Sequence, residues 1–257
     1  MAETVLDDLP GFRRRIVVRP GPGAVRSDVE DDYHHMGVLV RHDGQVATAV
    51  EADMTRIPWT TCPGAPAALT KTFTGVPLAG FGVRGERTTN CTHLHDLAVL
   101  AGAHAHDAAP LVYDVLVSDA VEGRVIAELR RDGETVMRWV LADNRLVEPA
   151  GAAGRTVMEL RPFVDSLDET GKEYARILRW GCILAHGRLR LAGEAYDKDL
   201  LPRGQCFTFQ PENAPNAKYN LGTIKDFSLG PDQPLGDLVV AGEAGQAVAF
   251  TPSERLS

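Results

Sequence analysis

The chain has 257 residues, 44% hydrophobic and 24% charged, proportions that fit a globular protein and exclude a collagen-like, low-complexity or fully disordered chain. Its 35 acidic residues against 27 basic ones leave a net charge of −8, which removes nucleic acid as a default partner because phosphate binding needs a basic face. The first residues are acidic and lack a secretory layout, and no apolar run approaches bilayer length, so the expectation is a cytoplasmic protein without a membrane partner. Its four cysteines (62, 91, 182, 206) are then expected as free thiols, and no CxxC pair supports a four-thiolate zinc site.

Residues 12–18, Phe-Arg-Arg-Arg-Ile-Val-Val, read as a first strand at a sheet edge with its arginines turned to solvent, broken by Pro20-Gly21-Pro22-Gly23. Residues 33–54 read as a β-hairpin. Met36, Val38 and Val40 share one face, Asp43-Gly44 supplies the turn, and Val46, Thr48, Val50 and Ala52 return. Asp-Gly suits a type I′ turn, whose two central residues need positive φ. Cys62-Pro63-Gly64 opens a short helix over 65–73, followed by a Gly-rich loop to about Thr89. Thr92 is the expected N-cap of a helix reaching Ala105, with Leu94, Leu97, Leu100 and Ala101 as its apolar stripe. Strands follow over 110–118, 123–131 and 135–142, the last two joined by Asp132-Gly133.

Pro149–Gly154 is small and polar and marks the best internal boundary. Helices are expected over 157–166 and 168–186, the second stopped by Gly187. Residues 200–235 read as a long covering loop or a wrap around the core, and 252–257 as a frayed end. The sum is an α+β fold, a mostly antiparallel sheet from two Asp-Gly hairpins and a meander packed with helices. It is expected as one domain over 1–257, with 10–148 as the core carrying the motifs and 155–250 as supporting helices and covering loop.

Seven of the eight histidines lie within the first 106 residues, six of them as His34-His35, His93-x-His95 and His104-x-His106. Histidine titrates near neutral pH, so this clustering is the main chemical signal. His34 shares a strand face with Met36, Val38 and Val40, which makes it the member of its pair expected inside. Cys91 at a helix start would have its thiolate stabilised by the helix dipole, with His93 close enough to assist; the competing reading makes Cys91 a small packing residue. A metal site from Cys91-x-His93-x-His95 needs an extended segment, whereas a helix scatters those side chains. A stripe of His93 and His104 with His34 or His35 has no recognised ligand spacing behind it. His42, His95, His104 and His106 are read as surface or interface residues. Arg56-Ile-Pro-Trp59 sets a cation beside an aromatic plate, suited to an anionic or aromatic ligand. No glycine-rich nucleotide cradle and no nucleophile elbow occurs, which leaves acid–base work.

Arg56-Ile-Pro-Trp-Thr-Thr-Cys-Pro-Gly-Ala65, then Leu69, Gly75 and Asn90-Cys-Thr-His-Leu94, resembles the bacterial family known as domain of unknown function 2889. In that family a Cys-Thr-His-Leu element follows a β-hairpin and a Cys-Pro element. The likeness is best over 10–140, and Gly204-Gln-Cys-Phe and Asp226-Phe-Ser resemble its longer members. It marks Trp59, Cys62, Pro63, Cys91, Thr92 and His93 as family positions and leaves His95 outside the pattern. It implies a bacterial cytoplasmic protein of metabolic context, and it supplies no mechanism. A composition rich in Arg but holding only five Lys agrees, since it fits a GC-rich genome.

The expectation is a small-molecule catabolic enzyme without an organic cofactor, acting as a lyase, isomerase or hydrolase by proton transfer. His93 and His34 serve as base and acid, Cys91 completes the catalytic set, and Arg56, Trp59, Tyr33 and Thr92 hold an acidic or aromatic substrate. No metal is assigned, and self-association is left open. One rival is a non-catalytic ligand-binding or accessory subunit whose histidine pairs line an interface. The other is a His-ligated zinc or iron enzyme.

Overall fold

The computed structural model describes residues 6–191, 204–220, 222–228 and 230–238. The frayed end expected over 252–257, and the parts of the covering region at 200–203 and 239–250, lie outside the described residues. Eight strands form one antiparallel sheet: β1 (Gly11–Gly21), β2 (Ala24–Asp31), β3 (His35–His42), β4 (Ala47–Arg56), β5 (Leu111–Ser118), β6 (Arg124–Arg131), β7 (Glu134–Ala142) and β8 (Arg145–Glu148). Their order is β4-β3-β2-β1-β5-β6-β7-β8, so two four-stranded meanders meet at β1 and β5, where Arg14 faces Val115. Helices α1 (Ala65–Phe73) and α2 (Thr92–Ala103) follow the first meander, and α3 (Arg161–Asp165) and α4 (Glu169–Leu191) follow the second. The α+β class expected from the sequence is the class observed.

Period-2 alternation decides the two faces of this sheet. Phe12, Ile16 and Val18 of β1, Val25 and Val29 of β2, Met36, Val38 and Val40 of β3, and Tyr113, Val115 and Val117 of β5 join Leu94, Leu97, Ile177 and Leu178 of the helices in one apolar core. The other face carries ion pairs, among them Arg15–Asp114 at 2.6 Å, Arg19–Asp28 at 2.6 Å and Arg130–Glu128 at 2.7 Å.

Several expectations are corrected. β1 lies at the centre of the sheet, not at its edge, and its arginines are not solvent-facing because each has a partner. Arg14 binds Asp31, Arg15 binds Asp114, and Arg13 donates to the carbonyls of Leu6 and Leu9. Pro20–Gly23 does not end the sheet; it turns the chain into β2, whose Arg26, Asp28 and Glu30 belong to the charged face and so mask its strand character. At Asp43-Gly44 only the glycine has positive φ, +102°; Asp43 Oδ1 instead accepts from the amides of Gln45 and Val46, both at 2.8 Å, in a wider loop. Asp132-Gly133 does have both φ positive, +52° and +86°, as a type I′ turn requires.

The Pro149–Gly154 stretch is packed onto the sheet: Ala152 is buried, and Leu146 of β8 pairs with both Gly154 and Arg155 at 2.8 Å. The N-cap of α2 is Cys91 rather than Thr92, and that helix ends at Ala103. The helix expected over 157–166 divides into a single 3-10 turn, Val157–Glu159, and α3. Helix α4 passes through Gly187 to Leu191 instead of stopping there. Among the described residues no helix is long and apolar enough to cross a membrane.

Candidate functional site

Where β2 turns into β3, the Asp31 amide donates to the His34 carbonyl at 2.9 Å, closing a hairpin over Asp32 and Tyr33. Asp31 Oδ1 accepts from the amides of Tyr33 (2.7 Å) and His34 (2.8 Å), and this short polar side chain stands in for a turn residue. The same carboxylate takes the His34 ring at Nδ1, 3.0 Å from Oδ1 and 3.2 Å from Oδ2. Oδ2 also receives Arg14 through Nε at 2.8 Å and through Nη2. Asp31 is fully buried, which by itself would raise its pKa; its interactions with His34 and Arg14 prevail and hold it well below the usual carboxylate range.

His93 enters from the first turn of α2 and stacks on His34, ring centroids 3.9 Å apart. Trp180 of α4 donates its indole N–H to His93 Nε2 at 3.2 Å. An acceptor at Nε2 places the proton of a neutral imidazole on Nδ1. Burial, then the neighbouring His34 and Arg14, push the His93 pKa well below its ordinary value, in keeping with that neutral form.

A cavity of about 300 Å³ opens beside this pair, and Tyr33, His34, Trp59, Cys91, Thr92 and His93 all line it. Six of the seven residues expected at the site are therefore brought together from the β2–β3 turn, the β4–α1 connection and the start of α2. Its outer wall is formed by Trp180, Leu184 and Gly187 of α4 and by Cys206, Phe209 and Tyr219. The Trp59 ring packs edge-on against Phe209 (5.2 Å) and Tyr219 (5.1 Å). The Tyr33 hydroxyl is buried and has no hydrogen-bond partner among the described residues.

Arg56 is the exception. It does not line the cavity, because its guanidinium is spent on Glu30 Oε1 (2.8 Å) and the Asp32 carbonyl (2.7 Å) and lies over the Phe227 ring. Cys91 lines the cavity, but burial pushes its thiol pKa up rather than down, so the helix start does not make it a thiolate. Of the four histidines read as surface or interface residues, only His106 is exposed. His95 is buried against Phe73 at 5.1 Å, and His42 is buried beneath His106. His104 joins α2 to α4, with Nε2 3.2 Å from the Glu173 carboxylate that Tyr113 also binds.

Three contributors were not anticipated as site residues: Arg14, Asp31 and Trp180. Arg14 had a readable signal, since alternation from Phe12 through Ile16 and Val18 puts it on the apolar face. Trp180 is three residues beyond Ile177 and four before Leu184, on the buried stripe of its helix.

Compared with known protein families, residues 20–106 match the family described as Protein of unknown function (DUF2889). That span supports the resemblance drawn from the motifs and holds Asp31, His34, Trp59, Cys91 and His93; Arg14, Trp180 and the 204–219 segment fall outside it. Among curated proteins no match was found.

Proposed function

We propose that the 300 Å³ cavity is the active site of a cofactor-independent acid–base enzyme, a lyase, isomerase or hydrolase acting on a small, largely apolar or aromatic molecule. The observation that carries this reading is the Asp31–His34 pair at the cavity wall. A carboxylate on Nδ1 fixes the imidazole tautomer, leaves Nε2 as the base, and stabilises the imidazolium formed when His34 takes a proton. The neutral His93, held by Trp180, offers its Nδ1–H as a donor to an oxygen that gains charge as the proton leaves. Tyr33 supplies a buried hydroxyl for orientation. Among the described residues no lysine or arginine lines the cavity, which favours a neutral reacting part over an acidic one.

The test is exchange of carbon-bound hydrogen for deuterium, followed by NMR over a panel of small aromatic ketones, alcohols and esters. His34→Gln and Asp31→Asn, each checked for its fold by circular dichroism, should lose about 10²–10⁴-fold of any rate seen with the intact protein. Panel compounds that bind but exchange equally fast with the intact protein and His34→Gln would instead assign the cavity to a ligand-binding subunit.

A metal-dependent reading has one specific footing: ligand atoms of Asp31, His34 and His93 lie within 4.8 Å of one another. Against it, both Asp31 oxygens already accept several donors, one of them cationic, and His93 Nε2 accepts the Trp180 N–H. An ion would have to displace those bonds. One zinc or iron per purified chain, lost in both His34→Gln and His93→Gln, would favour this reading over the metal-free one.

A further inference from the structure

A second and larger cavity, about 730 Å³, lies between α2 and α4 over β1 and β2. His93 and Trp180 line both cavities and so form the partition between them. The walls of the larger one are mainly apolar, with Ile16, Val29, Leu97, Leu100 and Ile177 among them. A volume of this size suits a whole small molecule, and such sites combine apolar walls with a few placed polar groups.

The polar groups can be sorted by what they already bind. Asp96 is taken by Arg87 at 2.7 and 2.8 Å, Glu173 by His104 and Tyr113, and Glu169 by Lys172 at 2.7 Å. The acids of the chamber are therefore committed. Its two arginines keep donors in reserve. Arg14, 4% exposed, spends Nε and Nη2 on Asp31, while Nη1 makes no hydrogen bond among the described residues. Arg176, exposed on α4, has no ion pair or hydrogen bond among them. A guanidinium has five N–H donors and bridges two carboxylates readily, so Arg14 can hold Asp31 and an incoming acid together.

We infer that this chamber is a second binding site, taking a small apolar monocarboxylate whose acid group meets Arg14 Nη1 and whose hydrocarbon body lies along Leu97, Leu100 and Ile177. The chamber adjoins the proposed active-site cavity across His93 and Trp180 and its Arg14 also binds Asp31, but its occupancy does not depend on that cavity being catalytic.

The probe is 1-naphthaleneacetate against the uncharged 1-naphthaleneacetamide, titrated calorimetrically into the full chain. The acid should bind at least about 10-fold tighter than the amide, since only the acid forms a charge-assisted pair. Arg14→Lys is the direct variant, but it disturbs the buried Asp31, so two substitutions away from that pair decide the location. Ala103→Trp, at an exposed position on the larger chamber's wall, should weaken the acid at least 10-fold. Gly187→Phe, on the smaller cavity where an added Cβ meets nothing within 4 Å, should leave it unchanged. Equal binding of acid and amide, no binding at millimolar acid, indifference to Ala103→Trp, or loss through Gly187→Phe instead would each overturn the proposal.

Discussion

Two neighbouring aspartates at the β2–β3 turn are driven in opposite directions. Asp31 stays ionised because His34 and Arg14 outweigh its burial, whereas burial and the adjacent Asp31 charge lift Asp32 to about 7, with Arg188 at 3.2 Å opposing the rise. An unfolded Asp32 would release its proton near the ordinary aspartate value of 3.8. Between those two values the folded chain binds more protons than the unfolded one, so this residue lowers stability as pH rises from about 4 to 7. Asp32→Asn removes the titration. Its stability relative to the unsubstituted protein should improve by more than about 1 kcal/mol between pH 4 and pH 7.5. Urea unfolding at the two pH values reads this directly, and a pH-independent difference would place the strain elsewhere. The sequence discloses His34 and His93 because histidine is rare enough for clustering to show. It does not disclose Asp31, which gains meaning only once β2 is known and brings it opposite Arg14.

The element that completes the site is α4, and its position depends on one glycine. A Cβ at Gly181 would stand 2.4 Å from Val115 Cγ1, a contact no side chain makes without displacement. Glycine there lets the helix axis settle onto β5 and carries Trp180 to His93. Gly181→Ala gains up to about 1 kcal/mol of helix propensity. Forcing a methyl into a packed core costs more, about 1–3 kcal/mol, so the net change should be destabilising. Thermal unfolding should show a lower midpoint, and the Trp180 emission should shift as its bond to His93 lengthens; an unchanged midpoint would mean that Val115 yields freely. Periodicity from Tyr174 to Leu184 is enough to predict this helix. It cannot tell a glycine that ends a helix from one that lets it approach a sheet, so Gly187 reads as the stop of α4 and Gly181 as an ordinary helix position.

At the scale of the molecule, the site is built at the β2–β3 turn of the first meander and closed by α4, which follows the second; both meanders have their helices on the same face of one sheet. The first half carries Arg14, Asp31, His34 and His93; the second carries Trp180. Local patterns reveal most strands and helices, because alternation and helical stripes are properties of short segments. They do not reveal which strand is central. That depends on the β1–β5 pairing, formed by residues about 100 apart in sequence, and it turns a run of arginines inward to partners the local text does not show.

Closure of the smaller cavity is long-range as well. Residues 204–220 are held to the first half by the Phe207 amide on the Asn90 carbonyl (2.9 Å), by Gln210 on the Thr88 carbonyl (2.7 Å) and by backbone bonds joining Thr60 to Lys218 and Asn220 to Pro58. Trp59, buried between Phe209 and Tyr219, is the largest side chain in this contact. Its loss removes packing that elsewhere is worth about 3–5 kcal/mol for a buried aromatic, but the loss falls on a segment that crosses no strand of the sheet. Trp59→Ala should therefore act locally, opening 204–220 without unfolding β1–β8. Hydrogen exchange resolved by peptide should accelerate by at least about 10-fold over 204–220, while β1, β2 and β5 keep their protection. Equal acceleration in both regions would make this segment part of the cooperative core rather than a cover over the site.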